Sequence, residues 1–382
     1  MDRTVSVTSE LELAGELMSD FARRTGLDPP ADASRRYLWT DAFAVCNYLE
    51  MHRLTGRRQD LDLALRLVDQ VHQVLGRHRP DDRRRGWISG LSEEEGAMRP
   101  TAGGLRIGKT SNERGRDEAP DPYLEWEQDG QYFHYLTKWM HALSRTAEAT
   151  GEERYLRWAM DLAAVAQDRF SHPAPGGGRR MYWKMSIDLS YPLVPSMGQH
   201  DALDGYATYR ELERAAERFS SGSFPDLGPA LRDVGGMCRG GSWATDDPLG
   251  AGSLLIDALR IARTDAGATL LRRVLAAAAV SLEAIGGEND APAVRRLAFR
   301  ELGLSIGLHA AERLRERARG AEMDSVLAGQ IEMLGVHIPL GRRIEAFWSD
   351  PKNRDNSTWR EHEDINSVML ATCLAPGTFL GT

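Results

Sequence analysis

The chain has 382 residues, of which 42% are hydrophobic and 27% charged, a composition that supports a sizeable core and disfavours disorder. Acidic residues outnumber basic ones by 56 to 48, and the net charge of -8 argues against a nucleic-acid-binding platform, which would carry a basic excess. No basic and then apolar leader opens the sequence, and no apolar run is long enough to span a bilayer, so a cytoplasmic protein without membrane contact is expected.

Apolar residues recur at helical spacing along the whole chain, and almost no stretch alternates as strands do. The predicted helices span residues 10–25, 43–54, 61–75, 135–149, 155–170, 202–219, 227–238, 249–262, 268–285, 293–314, 323–348 and 365–375. Two helix pairs share a Thr-Gly stop and a short polar turn, with Gly56 and Gly151 as the expected C-terminal caps. The sequence therefore predicts repeated αα-hairpins.

Pairing the first helix with the last gives six hairpins, with an inner layer of parallel helices and an outer layer that runs back. Three long connections, 76–129, 171–198 and 349–364, lead into inner helices and would therefore lie on one face. Long loops in a compact domain are usually functional, and these are rich in Trp, Tyr and carboxylates. We expect one domain of residues 1–382, with 76–128 and 171–198 as insertions on its active face.

The Thr-Gly turns, the segment Trp39-Thr40-Asp41 and the helix start Asp129-Gly130-Gln131-Tyr132 resemble the six-hairpin (α/α)6 toroid superfamily. That superfamily includes many glycoside hydrolases, unsaturated glucuronyl hydrolases and N-acylglucosamine 2-epimerase-like isomerases. The resemblance covers essentially the whole chain. It implies an all-α toroid of about twelve helices and a carbohydrate-active function, as an analogy of architecture.

Polar clusters stand at the predicted inner helix starts, where backbone N–H groups and the helix dipole stabilise a carboxylate. Glu125 lies beside Trp126, and a carboxyl group against an indole can have the raised pKa that a general acid requires. Asp201 and Asp204 are one turn apart, and two close carboxylates separate acid from base roles. His134 and Lys138 share one helix face.

The candidate catalytic residues are Glu125, Asp201, Asp41, His200 and His134. The candidate substrate-binding residues are aromatic, charged or amide side chains of the same helix starts and loops: Arg36, Trp39, Trp126, Gln131, Lys138, Trp183, Lys184, Gln199, Asp204, Trp359, His362 and Asp364. The tryptophans among them offer flat faces on which sugar rings stack. No HExxH or Cys-x-x-Cys spacing occurs, so neither a metal nor another cofactor is expected.

Three functions are compatible with these residues. The leading hypothesis is a glycoside hydrolase acting on a small saccharide or glycoside, with Glu125 as acid and Asp201 or Asp41 as the base that activates water. The alternative is a sugar 2-epimerase or aldose–ketose isomerase with His134 or His200 as proton shuttle, and Arg36 or Lys184 stabilising an enediolate. A further alternative is a non-catalytic toroid that binds a glycan. A homo-oligomer is compatible with each of them.

Overall fold

The computed structural model describes residues 2–31, 34–219, 224–264, 267–287, 290–320 and 324–381. The chain forms two compact units. We call residues 22–52 and 57–241 the loop-bearing unit, and residues 1–21, 53–56 and 242–382 the C-terminal unit. The single domain expected from the sequence stays a prediction. None of the described helices combines the length and the apolarity needed to cross a bilayer.

Helices account for most of the described residues. In chain order they are α1 (Asp2–Arg24), α2 (Leu38–Thr55), α3 (Arg58–Leu75), α4 (Glu93–Met98), α5 (Pro122–Glu125), α6 (Phe133–Thr150), α7 (Glu153–Phe170), α8 (Asp201–Ala216), α9 (Gly228–Cys238), α10 (Pro248–Arg263), α11 (Ala268–Ile285), α12 (Ala298–Gly320), α13 (Ser325–Leu334), α14 (Ile338–Ser349), α15 (Pro351–Arg354), α16 (Ser357–Glu361), α17 (Glu363–Leu374) and α18 (Gly377–Leu380). The short strands are β1 (Gln131–Tyr132), β2 (Ser171–Pro173), β3 (Arg179–Met181), β4 (Lys184–Met185) and β5 (Pro192–Val194).

The helices follow the predicted periodicity closely. The predicted helix 268–285 coincides with α11, and the predicted helix 155–170 begins only two residues late. One prediction is wrong: the segment 323–348 is not a single helix but α13 and α14, separated by a 3₁₀ turn at Gly335–His337. Pro339 is the second residue of α14, within the first helical turn, where proline is tolerated. Met323, the predicted start, lies outside the described residues.

Consecutive helices pack in pairs, as the hairpin prediction requires. The pairs are α6 with α7, α8 with α9, α10 with α11 and α12 with α13. Gly151 ends α6 with a φ of 72°, a left-handed conformation that glycine adopts without cost. The first helices of successive pairs also pack together, α6 against α8 in the loop-bearing unit, and α12 against α10 and α17 in the C-terminal unit. This is the inner layer that the sequence predicts, as seen within each unit.

Helices α10 and α12 cross with their backbones nearly touching. A Cβ atom at Gly252 would lie 2.1 Å from the carbonyl oxygen of Gly303, and one at Gly307 would lie 2.5 Å from the Cα of Gly252. Only glycine allows this approach. The remaining faces of both helices bury leucine, isoleucine and alanine, which form the apolar core of the C-terminal unit.

Two small sheets, which the sequence analysis missed, organise the second insertion. β1 pairs antiparallel with β4, placing Gln131 opposite Met185 and Tyr132 opposite Lys184, and β4 pairs antiparallel with β5. β2 and β3 form a separate antiparallel pair. Because β1 leads directly into α6, the three-stranded sheet holds residues 184–194 against the start of that helix.

Candidate active site

Helices α6 and α8 face each other with a ladder of basic and acidic side chains. On α6 the basic residues recur every three or four positions, which places them on one face, as the sequence predicts. Lys138 Nζ lies 2.8 Å from Asp204 Oδ1, and His141 Nδ1 lies 2.9 Å from Glu211 Oε2. Arg145 also pairs with Glu211. These pairs, which lie further along the two helices, are in direct contact, so they hold α6 and α8 together.

The pair at the start of the two helices, His134 and Asp201, is not joined by a hydrogen bond, and we call it the open pair. His134 Nδ1 lies 3.5 Å from Asp201 Oδ1, beyond a normal hydrogen bond between these atoms. Neither His134 Nδ1 nor Asp201 Oδ2 has a hydrogen-bond partner among the described residues, although only 4% of Asp201 is exposed. A buried polar atom without a partner is costly, so a ligand hydroxyl or a water placed here would be bound favourably.

Gly198 leaves space for this carboxylate. A Cβ atom at position 198 would lie 2.4 Å from Asp201 Oδ2, so a side chain there would push the carboxylate from its place. The backbone N–H of Asp201 in turn points to the carbonyl of Gly198, at 3.4 Å. The glycine thus positions the open pair.

Aromatic rings surround the partly exposed His134. The ring centroids of Tyr135 and Tyr132 lie 4.9 and 5.3 Å from its imidazole. The Trp183 ring is nearly parallel to it, at 14° and a centroid distance of 6.3 Å, and Trp126 meets Trp183 edge-on at 5.4 Å. We call Tyr132, Tyr135, Trp183 and Trp126 the aromatic wall. Trp126 is exposed and Trp183 is partly exposed, and their ring faces suit the apolar faces of a sugar ring, while the buried Tyr132 packs against Trp183 from within.

Two tyrosine hydroxyls meet beside this wall, at a position that the sequence analysis did not select. Tyr37 Oη and Tyr135 Oη lie 2.7 Å apart, and the ammonium of Lys109 lies 5.6 Å from the centre of the Tyr37 ring. Burial raises the pKa of both tyrosines, Tyr135 well above its usual value, so both hydroxyls stay protonated and can donate a hydrogen bond. The sequence signal that could have identified them is their position at a helix start: Tyr37 directly precedes α2, and Tyr135 lies in the first turn of α6.

Glu125 is held by two cations. The Lys184 ammonium, which has no exposed surface, donates to Glu125 Oε1 at 2.8 Å, to the Glu125 carbonyl at 2.6 Å and to the Gln128 carbonyl at 2.9 Å. Arg114 Nε lies 3.4 Å from Glu125 Oε2. Burial lowers the pKa of Lys184, while its hydrogen bond with Glu125 acts in the opposite direction. We call this arrangement the Glu125 clamp. The assignment of Glu125 as general acid stays a prediction.

Asp41 is buried in a local network at the start of α2. It accepts a hydrogen bond from the Tyr37 backbone N–H at 2.9 Å and pairs with Arg36 at 3.5 Å. Arg36 also donates to the Thr25 carbonyl. Trp39 is buried against Phe43, with ring centroids 4.4 Å apart. These contacts give Asp41 a capping role, while its role as a base stays a prediction.

Gln131 joins the two long insertions. Its Oε1 accepts a hydrogen bond from the Leu105 N–H at 2.8 Å, and its Nε2 donates to the carbonyls of Gly103, at 3.0 Å, and Ile187, at 2.7 Å. The side chain is fully buried, so every polar atom of the amide is used inside the protein.

The remaining predicted site residues are spread over both units. Gln199 is exposed, and the partly exposed His200 stands immediately before α8. In the C-terminal unit, Trp359 is buried against Trp348, while His362 is exposed beside Phe299. Asp364, in the first turn of α17, is partly exposed. The structure therefore brings together three sets of predicted residues, all in the loop-bearing unit: His134 with Asp201, Trp126 and Trp183; Lys138 with Asp204; and Glu125 with Lys184. Tyr132 and Tyr135, which complete the aromatic wall, were not among the predicted site residues.

Neither a protein-family model nor a curated protein sequence matches the chain. Solved structures do. The GH76A alpha-1,6-mannanase from Salegentibacter matches with a TM-score of 0.55 and 10% identity, over 97% of this chain and 100% of that chain. The GH76 alpha-mannanase from Bacteroides thetaiotaomicron matches with a TM-score of 0.53 and 11% identity, over 88% and 86%. The chain has the (α/α)6 toroid fold. An inactive variant of the Salegentibacter enzyme, with two consecutive aspartates replaced by alanine and in complex with alpha-1,6-mannotetrose, matches at 9% identity with a TM-score of 0.54, over 97% and 99%.

Proposed function

We propose that the chain is a carbohydrate-active enzyme, a glycoside hydrolase whose site lies around Asp201 and His134 in the loop-bearing unit. The observation that carries the proposal is the open pair: a buried carboxylate oxygen that no described residue hydrogen-bonds, beside an imidazole and an aromatic wall. A catalytic base needs an acceptor atom that no other protein group occupies, and among the described catalytic candidates Asp201 Oδ2 and His134 Nδ1 are such atoms. The shared fold with two α-mannanases supports a saccharide substrate.

In this proposal Asp201 is the base that takes a proton from the attacking water, and Glu125 is the acid that protonates the leaving oxygen. The Glu125 clamp then has to open when substrate binds, because an acid must carry a proton and Glu125 is paired with Lys184 and Arg114. Asp204 lies one turn from Asp201. Its carboxylate accepts hydrogen bonds from Thr137 and Lys138, and these contacts position the start of α8.

Consecutive aspartates, which are replaced in the inactive Salegentibacter variant, occur twice in this chain, at 81–82 and 246–247. Ion pairs join Asp81 to Arg79, Asp82 to Arg84 and Asp247 to Arg300. Asp247 also caps α10 through the Gly250 N–H. Since Asp81, Asp82 and Asp247 hold structural contacts, the proposal rests on Asp201 and not on either pair.

The second candidate function is epimerisation or isomerisation of a free sugar. The observation that favours it is that the titratable group facing Asp201 is an imidazole and not a second carboxylate. An imidazole oriented by a carboxylate can remove a proton from carbon and return it. Lys184 and Arg36, the predicted enediolate-stabilising groups, are both held by other partners. The Tyr37–Tyr135 hydroxyl pair is the alternative donor in this mechanism, because one of its two protons is not used in the hydrogen bond between them.

Incubation with α-linked oligosaccharides and free aldoses in D₂O, followed by NMR, separates the candidates. Hydrolysis produces new reducing-end anomeric signals, whereas epimerisation incorporates deuterium at C2 of the sugar. Asp201→Asn should lower either kcat by about 10²-fold or more, and Asp62→Asn, on the exposed face of α3, is the control. His134→Gln should abolish epimerisation and only weaken hydrolysis. Saturation transfer without turnover in the wild type would favour the glycan binder and overturn the enzyme.

The cytoplasmic location, the lack of nucleic-acid partners and the homo-oligomer remain predictions from the sequence. Gel filtration with light scattering measures the oligomeric state directly.

A further inference from the structure

The aromatic wall continues outward from the site onto an exposed turn. Trp126 directly follows α5, contacts Trp183 and leaves 55% of its surface exposed. Tyr123 is 88% exposed and stands three residues earlier, so the two side chains lie on the same side of the turn. Leu124, between them, is 55% exposed as well, and a contiguous exposed apolar patch marks a binding surface where single exposed side chains do not. The wall therefore runs from His134, beside Asp201, to the outer edge of the first insertion.

Polar contacts fix the short turn that carries Tyr123 and Trp126. Asp121 caps α5 by accepting hydrogen bonds from the backbone N–H groups of Tyr123 and Leu124. The Glu125 clamp ties the residue before Trp126 to Lys184, and Lys184 directly follows Trp183 in the chain. The two indoles are thus fixed by one ion pair. A preorganised aromatic surface loses little entropy when a ligand stacks on it.

The charge of the turn restricts the ligand class. Residues 117–127 contain five carboxylates and no lysine or arginine. Among the four carboxylates other than Glu125, Glu127 is exposed beside Trp126 and Asp121 is exposed below Tyr123. An anionic polysaccharide would be repelled here, whereas the hydroxyl groups of a neutral sugar can donate hydrogen bonds to carboxylates.

We propose that Trp126 and Tyr123 form an external subsite for further rings of an uncharged oligosaccharide. This inference rests on the proposed function for the place of the reacting ring, at Asp201 and His134. It sharpens the substrate class, because a monosaccharide at the open pair would leave the exposed rings unused. It also gives the Glu125 clamp a second role: while Glu125 and Lys184 are paired, they hold Trp126, which directly follows Glu125, and Trp183, which directly precedes Lys184, in the positions that the subsite requires.

The test compares ligand length in the full chain. In an Asp201→Asn background, in which turnover is about 10²-fold slower or more, calorimetry measures binding of α-1,6-manno-oligosaccharides and of cello-oligosaccharides from the disaccharide to the hexasaccharide. We expect affinity to rise with length. Trp126→Ala should weaken binding of the longest ligand about tenfold and leave the disaccharide unchanged, as expected for one aromatic stacking contact. Tyr123→Ala should give a smaller loss, and Trp126→Phe should retain most of the affinity.

Matched controls keep the outcomes distinct. Met98→Ala removes a side chain of similar exposure from α4 in the same insertion and should leave all affinities unchanged. Affinity that does not rise with length, or a rise that survives both aromatic substitutions, would overturn the external subsite and leave the proposed function standing. Tighter binding of sulfated or uronate oligosaccharides would overturn the uncharged class. Failure of every sugar to bind or react would overturn the proposed function itself.

Discussion

Asp129→Ala should destabilise the protein by removing the carboxylate that ties the first insertion to the segment before α6. The Asp129 carboxylate has no exposed surface, pairs with Arg106 at 2.8 Å and Arg79 at 3.3 Å, and accepts the backbone N–H groups of Gly108 and Gly130. The substitution leaves two guanidinium groups, whose side chains are at most 10% exposed, and two N–H groups without this acceptor. Removing one partner of such a buried network costs about 3–5 kcal/mol of the free energy of unfolding.

Urea denaturation followed by circular dichroism measures this loss. Limited trypsin digestion reports the insertion itself, because Arg83, Arg84 and Arg85 lie in it. The matched control is Asp62→Ala, whose carboxylate pairs with Arg58 on the exposed face of α3, at a cost of at most about 0.5 kcal/mol. Asp129→Asn, which keeps one acceptor oxygen, should fall between the two. A loss for Asp129→Ala within about 1 kcal/mol of the control would refute the reasoning.

Three further predictions concern the core and the Glu125 clamp. Burial lowers the pKa of His72 to about 3, against about 6.5 in the unfolded chain, so only the unfolded chain binds a proton in between. Stability should therefore fall as the pH drops below about 6.5, by up to about 1.4 kcal/mol per pH unit. His72→Gln, which keeps an acceptor for the Trp139 indole, should flatten this dependence in urea denaturation between pH 5 and 7, and an unchanged slope would contradict it. Gly252→Ala should destabilise the C-terminal unit by at least about 1–3 kcal/mol because α10 and α12 must separate. Gly329→Ala, at an exposed and open position inside α13, should stabilise it by about 0.5–1 kcal/mol, and equal effects in thermal melts would contradict both. Lys184→Met leaves the Glu125 carboxylate and two carbonyls without their donor, so it should lower the melting temperature and remove the affinity gain for long oligosaccharides, and a wild-type melting curve would count against the clamp.

The helices could be predicted from the sequence because each buries an apolar stripe at helical spacing. Helix α11 shows this best, with a glycine immediately before it and another immediately after it. The long helix expected at 323–348 failed because the apolar spacing continues across Gly335 and Pro339 while the backbone does not. The strands were missed because two or three residues are too few for alternation to be seen.

The site was partly predictable for a related reason. The spacing of His134 and Lys138 along α6 already placed them on one face, and their position at a helix start drew attention to them. Which carboxylates face them depends on how α8 is shifted along α6, and no local pattern encodes that shift. The Glu125 clamp was equally hidden, because Arg114 and Lys184 reach it from two separate loops.

The Gln131 side chain couples the two insertions through hydrogen bonds to both, and the sheet of β1, β4 and β5 joins the second insertion to the start of α6. Each loop supplies acceptors or ring contacts that only the other loop completes, so neither keeps its shape when the other is changed. We therefore expect that replacing only one of the two loops with the equivalent loop of another toroid would not produce a folded site with a different glycan preference. A change of glycan preference requires that residues 76–128 and 171–198 be exchanged together, with Gln131 retained because it hydrogen-bonds to both.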